Sequence, residues 1–427
     1  MGRQTNMPAQ DARAIHDGSG ALPIEDSVLA NQRLLQLAAI VIIALGLIRL
    51  FPAIDSVAIH NDFSHYYVGG SLYMAGESAY RTKLEPLMAE SNLTYDPTIP
   101  YAAHPPLLLM LFGTLSVLPI QLAYWTWLLI QVVVAIACLE LIRRIVRLSW
   151  DDFRWLMLVG IFVNSISFQM LIYYSQVQLV VACLLYGAFL AGSKQRHNLA
   201  CAVITLASAL KIYPVFAAPW IFFRGLSSWR DALGRLTAMA ATSVLCLATP
   251  GLGTWFDFVI NGVPTLATNA TKWCNFSFQN LWSMLLRIHP EATENWAWIG
   301  PTVAVLALAT AYLFSVCSRQ RPLISYCLVL IATICCGVIT WSHYLTVLWL
   351  PLAALLLVDS NSNGYNHRNL LTAICAIAVL MPKLDCYLLD TQFTYWRIGL
   401  HFYPLFAAIA LGCILYTRTN RPLSAGV

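Results

Sequence analysis

Asn61-Asp62-Phe63-Ser64-His65-Tyr66-Tyr67 sets a carboxylate, an imidazole and two phenols side by side, with Gly76, Tyr80 and His104-Pro105-Pro106 following. A carboxylate such as Asp62 can take the proton from a hydroxyl nucleophile held within hydrogen-bond reach. Its bland alternative is a solvated acid at a membrane interface. Tyr66 and Tyr80, like Tyr67 and Tyr73, offer flat faces for a ring-shaped ligand, or an interfacial aromatic belt. His104 precedes two prolines that read as a helix start, since proline suits the first helical turn. Gln176 and Gln178, in Ser175-Gln176-Val177-Gln178, sit at the end of an apolar run, where they bind a ligand or a neighbouring helix. Lys211 lies between Ala-Leu and Ile-Tyr. A cation in such a segment usually faces a cavity or an anion, and a phosphate would suit it. Snorkelling to the interface is the other use. His343, in Trp341-Ser342-His343-Tyr344, has an ordinary pKa near 6.5 that allows either charge state.

The elements that must position these residues are apolar helices. The chain has 427 residues, 59% hydrophobic and 11% charged, against about 25% charged in a soluble domain. Apolar runs of roughly 17–25 residues recur to the C-terminus, which predicts a polytopic, all-α integral membrane bundle. Spans are expected near 34–51, 121–142, 154–172, 177–193, 236–252, 298–317, 324–341, 343–358, 369–381 and 398–416. Segment 105–119 is short and bounded by prolines, so it is expected to lie at the interface without crossing. Segment 199–223, interrupted by Lys211 and Pro214, is expected to form a broken hairpin. With those two choices most of the 25 Lys/Arg residues fall on one side, which the positive-inside rule makes cytoplasmic. About twelve crossings result, both termini are inside, and Asp62, His104, Gln176, Lys211 and His343 all reach the outer face. Short broken helices are tolerated where they line a protein cavity.

Residues 1–32 are polar, mixed in charge and rich in turn formers, so they read as a disordered cytoplasmic tail. Residues 33–420 form the membrane domain. The first apolar run begins too late and is too long for a cleaved signal peptide. No Lys/Arg run is dense enough for nucleic-acid binding. The twelve cysteines lack metal-site spacing. Cys274 and Cys386, both in outer loops, are either a disulfide or two unrelated thiols. No carboxylate cluster is present to hold a metal, and no cofactor is expected. Asn92-Leu93-Thr94, Asn269-Ala270-Thr271 and Asn275-Phe276-Ser277 match the glycosylation sequon, at a number chance can produce.

Asp62-Phe63 with Tyr66/Tyr67, Gly76 and Tyr80, then Pro105-Pro106, resembles glycosyltransferase family 87. So do Ser175-Gln176-Val177-Gln178-Leu179, Lys211-Ile212-Tyr213-Pro214, Gln279-Asn280-Leu281 with Arg287, and Ser342-His343-Tyr344. The resemblance runs from about residue 34 to about 420. It implies a GT-C fold, with the first outer loop forming juxtamembrane helices over the active site. It also implies inverting transfer of a sugar, mannose-like or a pentose, from a polyprenyl-phosphate donor to a lipid or glycan acceptor. The donor would be a co-substrate, and the bacterial plasma membrane the setting. Asp62 then resembles the family's catalytic acid and His343 its late active-site histidine. Tyr66, Tyr80, His104, Gln176, Gln178, Lys211, Asn280 and Arg287 become candidate substrate contacts. The chain departs from the family where Tyr-Pro-Pro is often found before the helix and where Gly-Gln-x-Asn often replaces Ser175-Gln176-Val177-Gln178. The competing expectations are a transporter or flippase of a lipid-linked or small polar substrate, and an oligosaccharide ligase.

Overall fold

The computed structural model describes residues 24–54, 62–93, 99–269, 275–288, 296, 298–317, 321–337, 339–357 and 402–419. Among them every regular element is helical. The predicted span at 369–381 and both Cys274 and Cys386 lie outside the described residues. Helix α1 (Ile24–Ile54) begins ahead of the boundary predicted near residue 33. Residues such as Leu29, Ala30 and Gln32 favour helix whatever their polarity, so the apolar run marks only the part of α1 suited to lipid. Among the described residues three helices are long and apolar enough to cross a membrane, namely Gln32–Phe51, Ile120–Val146 and Trp229–Ala248, and Phe153–Asn164 with Ile166–Tyr173 makes a fourth if the bent pair is one span. Leu34, Leu37, Ile48 and Phe51 on the first stand exposed, as lipid-facing side chains would.

After α1 come two short helices, α2 (Asp62–Met74) and α3 (Glu85–Glu90), and then α4 (Pro106–Leu115). Pro105 and Pro106 start α4 as read from sequence. Its ten residues rise only about 15 Å, half of a hydrocarbon core of about 30 Å. Helix α2 crosses α4 where neither has a side chain. A Cβ on Gly70 would lie 2.5 Å from the backbone nitrogen of Gly113. Gly76, at φ +75°, ends the first stretch in the left-handed conformation that glycine adopts most readily.

Helix α5 (Ile120–Val146) is followed by α6 (Phe153–Asn164) and α7 (Ile166–Tyr173), a bent pair meeting at 49°. Ser165, in extended conformation, makes the break, and its hydroxyl caps α7 by accepting from the Phe168 amide at 3.3 Å. Helix α6 lies on α1, where the Asn164 amide donates to the Ile42 carbonyl at 2.8 Å. Helices α8 (Gln178–Ser193) and α9 (His197–Leu210) form a tight pair. At Leu210 α9 stops. Pro214 has no N–H to offer the Leu210 carbonyl, and its ring would clash with that group. Lys211 is therefore extended, at φ −147° and ψ 135°. A 3₁₀ turn, Tyr213–Ala217, then leads into α10 (Ala218–Phe223). The chain doubles back: a Cβ on Gly225 would lie 3.7 Å from the His197 ring. The broken hairpin expected over 199–223 is present. Helix α11 (Trp229–Ala248) pins it, since fully buried Arg235 donates to the carbonyls of Phe222, Arg224 and Gly225 and pairs with Asp231.

The chain continues through α12 (Leu252–Asp257), a wide π-type turn at Phe258–Gly262, α13 (Val263–Asn269) and α14 (Phe278–Ile288). Helices Ile299–Cys317 and Pro322–Cys336 follow. A 3₁₀ stretch, Ser342–Leu348, then runs into Trp349–Leu357, and Tyr403–Thr419 is the last described helix. The main core of the described residues lies between α6, α7, α8 and the stretches Pro322–Cys336, 342–357 and Tyr403–Thr419. Phe162 stacks on Trp349 at 4.7 Å, and Tyr326 sits between Phe189 and Trp220.

Candidate active site

Six stretches line one cavity of about 430 Å³, and four of them are linked by side-chain hydrogen bonds at its floor. Asp62 opens α2, where the exposed amides at a helix N-terminus favour a carboxylate. The second stretch is the turn after α7. Ser175 there has φ +52°, the position at which the related pattern often has glycine. This turn is held from behind. The Trp127 indole donates to the Ser175 carbonyl at 2.8 Å, and the Gln131 side chain donates to the Gln176 carbonyl at 3.1 Å. The third stretch is the break at Lys211. The fourth is the 3₁₀ stretch carrying Tyr344.

These stretches are joined through one amide. The Gln176 NH₂ donates to Asp62 Oδ2. Its Oε1 accepts from the Tyr66 hydroxyl at 2.8 Å and from Lys211 Nζ at 3.3 Å. Lys211 Nζ also donates to the Tyr344 hydroxyl at 3.0 Å and lies 4.6 Å from that ring's centre. Lys211 is buried and Asp62 half-buried. The Tyr66 ring packs on His104 at 4.2 Å and stacks on Phe112 at 4.7 Å. Burial, then the Asp62 carboxylate, pushes the Tyr66 phenol well above its ordinary range, so it remains a proton donor to Gln176. Burial, then the nearby Lys211 and His65, holds the His104 imidazole well below its ordinary value, so it stays neutral. Away from this floor the cavity wall is apolar, with Ile99, Ile212, Phe216, Val263, Leu266 and Ile339.

Two joints hold the wall in place. Asp257 accepts from Ser78, from Arg81 Nε at 2.7 Å and from Asn261 at 2.5 Å. Burial alone would raise its carboxyl, but those hydrogen bonds outweigh burial and hold it below the usual range. This clasp fastens the first loop to the π-type turn, where a Cβ on Gly262 would lie 2.5 Å from Phe258 and 3.0 Å from Tyr80. At the second joint Asn275 Oδ1 accepts from the Ser277 and Thr340 amides at 3.0 and 2.7 Å. The Phe276 amide donates to the Thr340 carbonyl at 2.7 Å.

Of the sequence-predicted residues, Asp62, His104, Gln176 and Lys211 line the cavity, and Tyr66 supports it from one layer behind. Tyr80 acts on the backbone instead, with its hydroxyl donating to the His104 carbonyl at 2.7 Å. Gln178 donates to the hydroxyl of Tyr213, a cavity residue. His343 is buried outside the lining, its ring 4.9 Å from Tyr344 and 5.5 Å from Trp341. Its Nε2 has no hydrogen-bond partner among the described residues. Asn280 is buried in the second joint, donating to the Asn275 carbonyl at 2.6 Å. Arg287 is exposed in the last turn of α14 and does not line the cavity. A cation there complements the helix C-terminus. Sequence reasoning missed His65, Tyr213, Trp341 and Tyr344 as lining residues. His65 was within reach of it, lying one helical turn after Asp62.

The model of glycosyltransferase family 87 matches residues 102–340, more than half of the chain. The protein belongs to glycosyltransferase family 87. It is a glycosyltransferase with apolar helices suited to a membrane. A search of curated proteins finds no match. The matched range holds His104, Gln176 and Lys211 and stops short of Asp62 on one side and Tyr344 on the other. The hydrogen bonds of Gln176 and Lys211 bring those two residues into the family's own segment.

Proposed function

We propose that this glycosyltransferase moves a sugar, mannose-like by preference, from a polyprenyl-phosphate donor to a lipid or glycan acceptor at the extracytoplasmic face of a bacterial plasma membrane. In this reading the fold is a GT-C bundle of about twelve crossings with both termini cytoplasmic. The observation that carries it is the division of the cavity. An acid and a cation stand at its floor, and apolar side chains make its wall. That division suits a co-substrate with a charged phosphate head and a hydrocarbon tail. Ile212 and Val215, exposed on the 3₁₀ turn beside Lys211, would face the lipid from which the tail enters.

Asp62 acts as general base. It takes the proton of the acceptor hydroxyl as that oxygen bonds to sugar C1, while the bond from C1 to the donor phosphate oxygen breaks on the opposite face. The configuration at C1 inverts, and the polyprenyl phosphate leaves. Lys211 and the Tyr344 hydroxyl meet the charge that develops on the departing phosphate, the kind of stabilisation usually worth most. His343, buried behind the lining with its ring 4.9 Å from Tyr344, orients that tyrosine and does not itself touch the phosphate. His104, with the Tyr66 ring packed behind it, shapes the sugar end.

Asp62→Asn tests the reading. Asn keeps the shape and cannot usefully accept a proton. Expression and donor binding are expected to stay near wild type, while transfer from a synthetic polyprenyl-phosphate mannose in detergent falls roughly 10²–10⁴-fold. Turnover within threefold of wild type rejects Asp62 as base. A transporter would instead move the lipid-linked sugar across a vesicle membrane without transferring it.

A further inference from the structure

We propose that Gln176 is a positioning residue that fixes the Asp62 carboxylate and ties it to the charge of Lys211. The inference rests on the reading of Asp62 as base and Lys211 as phosphate partner.

The chemistry of the neighbours allows one amide orientation. An ammonium only donates, and an ionised carboxylate only accepts. The atom of Gln176 facing Lys211 and the Tyr66 hydroxyl is therefore its oxygen, and the atom facing Asp62 is its NH₂. A flipped amide would set NH₂ against an ammonium and oxygen against a carboxylate. Gln176 is 1% exposed, so its amide stays against these neighbours. Its backbone is fixed too, by the positive φ at Ser175 and by the Gln131 side chain on its carbonyl.

Two consequences follow. An N–H donated to a carboxylate favours its charged form, so Asp62 is kept ready to receive a proton. Two donors on Oε1 polarise the amide and strengthen the N–H on its far side. The positive charge of Lys211 thus acts on Asp62 through Gln176. Other titratable groups that face this network are His65 and Tyr66 from α2, His104 from the stretch before α4, Tyr213 from the turn after Lys211, and His343 and Tyr344 from the 3₁₀ stretch. All are left in place by Gln176→Glu.

The test is the pH dependence of kcat and KM for full-length protein in detergent, with a short-chain polyprenyl-phosphate mannose as donor and octyl mannoside as acceptor. In Gln176→Glu the new carboxylate keeps the bonds from Lys211 and Tyr66. It must share one proton with Asp62, because like charges at that range cannot both ionise easily. The acid limb of kcat is expected to move up by about one pH unit or more, with donor KM within about threefold. Tyr66→Phe removes one of the two donors on Oε1, and kcat is expected to fall about 2–10-fold at constant KM. A Gln176 side chain that does not reach Asp62 predicts equal loss at every pH, with the limb unmoved. That result in monodisperse Gln176→Glu protein overturns the proposal. If Gln176→Glu does not fold, Tyr66→Phe decides alone, and wild-type kcat there overturns it. Wild-type protein that transfers no sugar from the lipid phosphate takes down the proposed function and this inference together. Wild-type turnover with an unmoved limb in the variant takes down the inference alone.

Discussion

The cavity floor and the Asn275 joint are both buried, both polar, and both tie together parts of the chain that are far apart in sequence. Their bonds end differently. Asn275 and Asn280 spend their side chains on backbone, on the amides of Ser277 and Thr340 and the carbonyl of Asn275 itself. At the floor, Asp62, Tyr66, Gln176, Lys211 and Tyr344 bond side chain to side chain, and most of them border open space. Bonds to backbone fix a path of the chain. Bonds between side chains beside a cavity are exchangeable, so an arriving substrate can take one over. Polar residues of the same family resemblance thus divide into those that hold the fold and those that can meet a ligand.

Lys211→Ala should break the comparison on the floor side with the largest effect. Losing one donor to a developing anion typically costs about 10²–10³-fold. The expected result is a fall of that size in kcat/KM for the lipid-phosphate donor, with thermal stability in detergent near wild type. A drop in melting temperature without a specific loss in donor use would move Lys211 to the structural group. Gly70→Ala should show the reverse pattern. Its Cβ meets the Gly113 backbone, and overpacking of this kind costs about 1–3 kcal/mol. Thermal unfolding should detect it, and Gly70→Ser should be no better.

Asn275→Ala sharpens the other side. Two buried amides lose their acceptor, at about 1–3 kcal/mol for an unsatisfied group, while Arg287→Ala at an exposed site should leave stability within about 0.5 kcal/mol. Equal effects from the two variants would mean that Arg287 carries weight its exposure does not suggest. The smallest effect concerns the Asp257 clasp. Its carboxyl is held low when folded, so its stabilisation is present above the ordinary Asp value of about 3.9 and is lost as pH falls through the lower folded value. The melting-temperature gap between wild type and Asp257→Asn should be widest near neutral pH and close below about pH 4. A gap independent of pH would assign the clasp to shape alone.

Much of this was legible in the chain. Pro214 announced the break at Lys211, and the prolines around 105–119 announced a helix too short to cross. Asp62 and Lys211 stood out because charge in apolar surroundings is costly. The partner that joins them did not stand out. Gln176 at a span end looks like any interhelical amide, and nothing in its neighbours' identities says that Ser175 adopts a left-handed turn to aim it. Tyr344 and Trp341 were masked in the same way, because aromatic residues are common at membrane interfaces whatever they do. The resemblance grouped Asn280 and Arg287 with the floor residues. Only three-dimensional placement separates a side chain that braces a backbone, or faces solvent, from one that borders a cavity.

Asn275-Phe276-Ser277 is also a glycosylation sequon, and its asparagine is fully buried with its amide oxygen already engaged. No glycan can be attached there once the joint has closed. Asn92, exposed on a turn, carries no such bar. In a host that decorates sequons on the side where these segments emerge, sugar on Asn92 would say only that the residue was reached. Sugar on Asn275 would be a timestamp: that chain was modified while residues 275–277 and Thr340 were still apart, and it cannot afterwards complete the cavity wall.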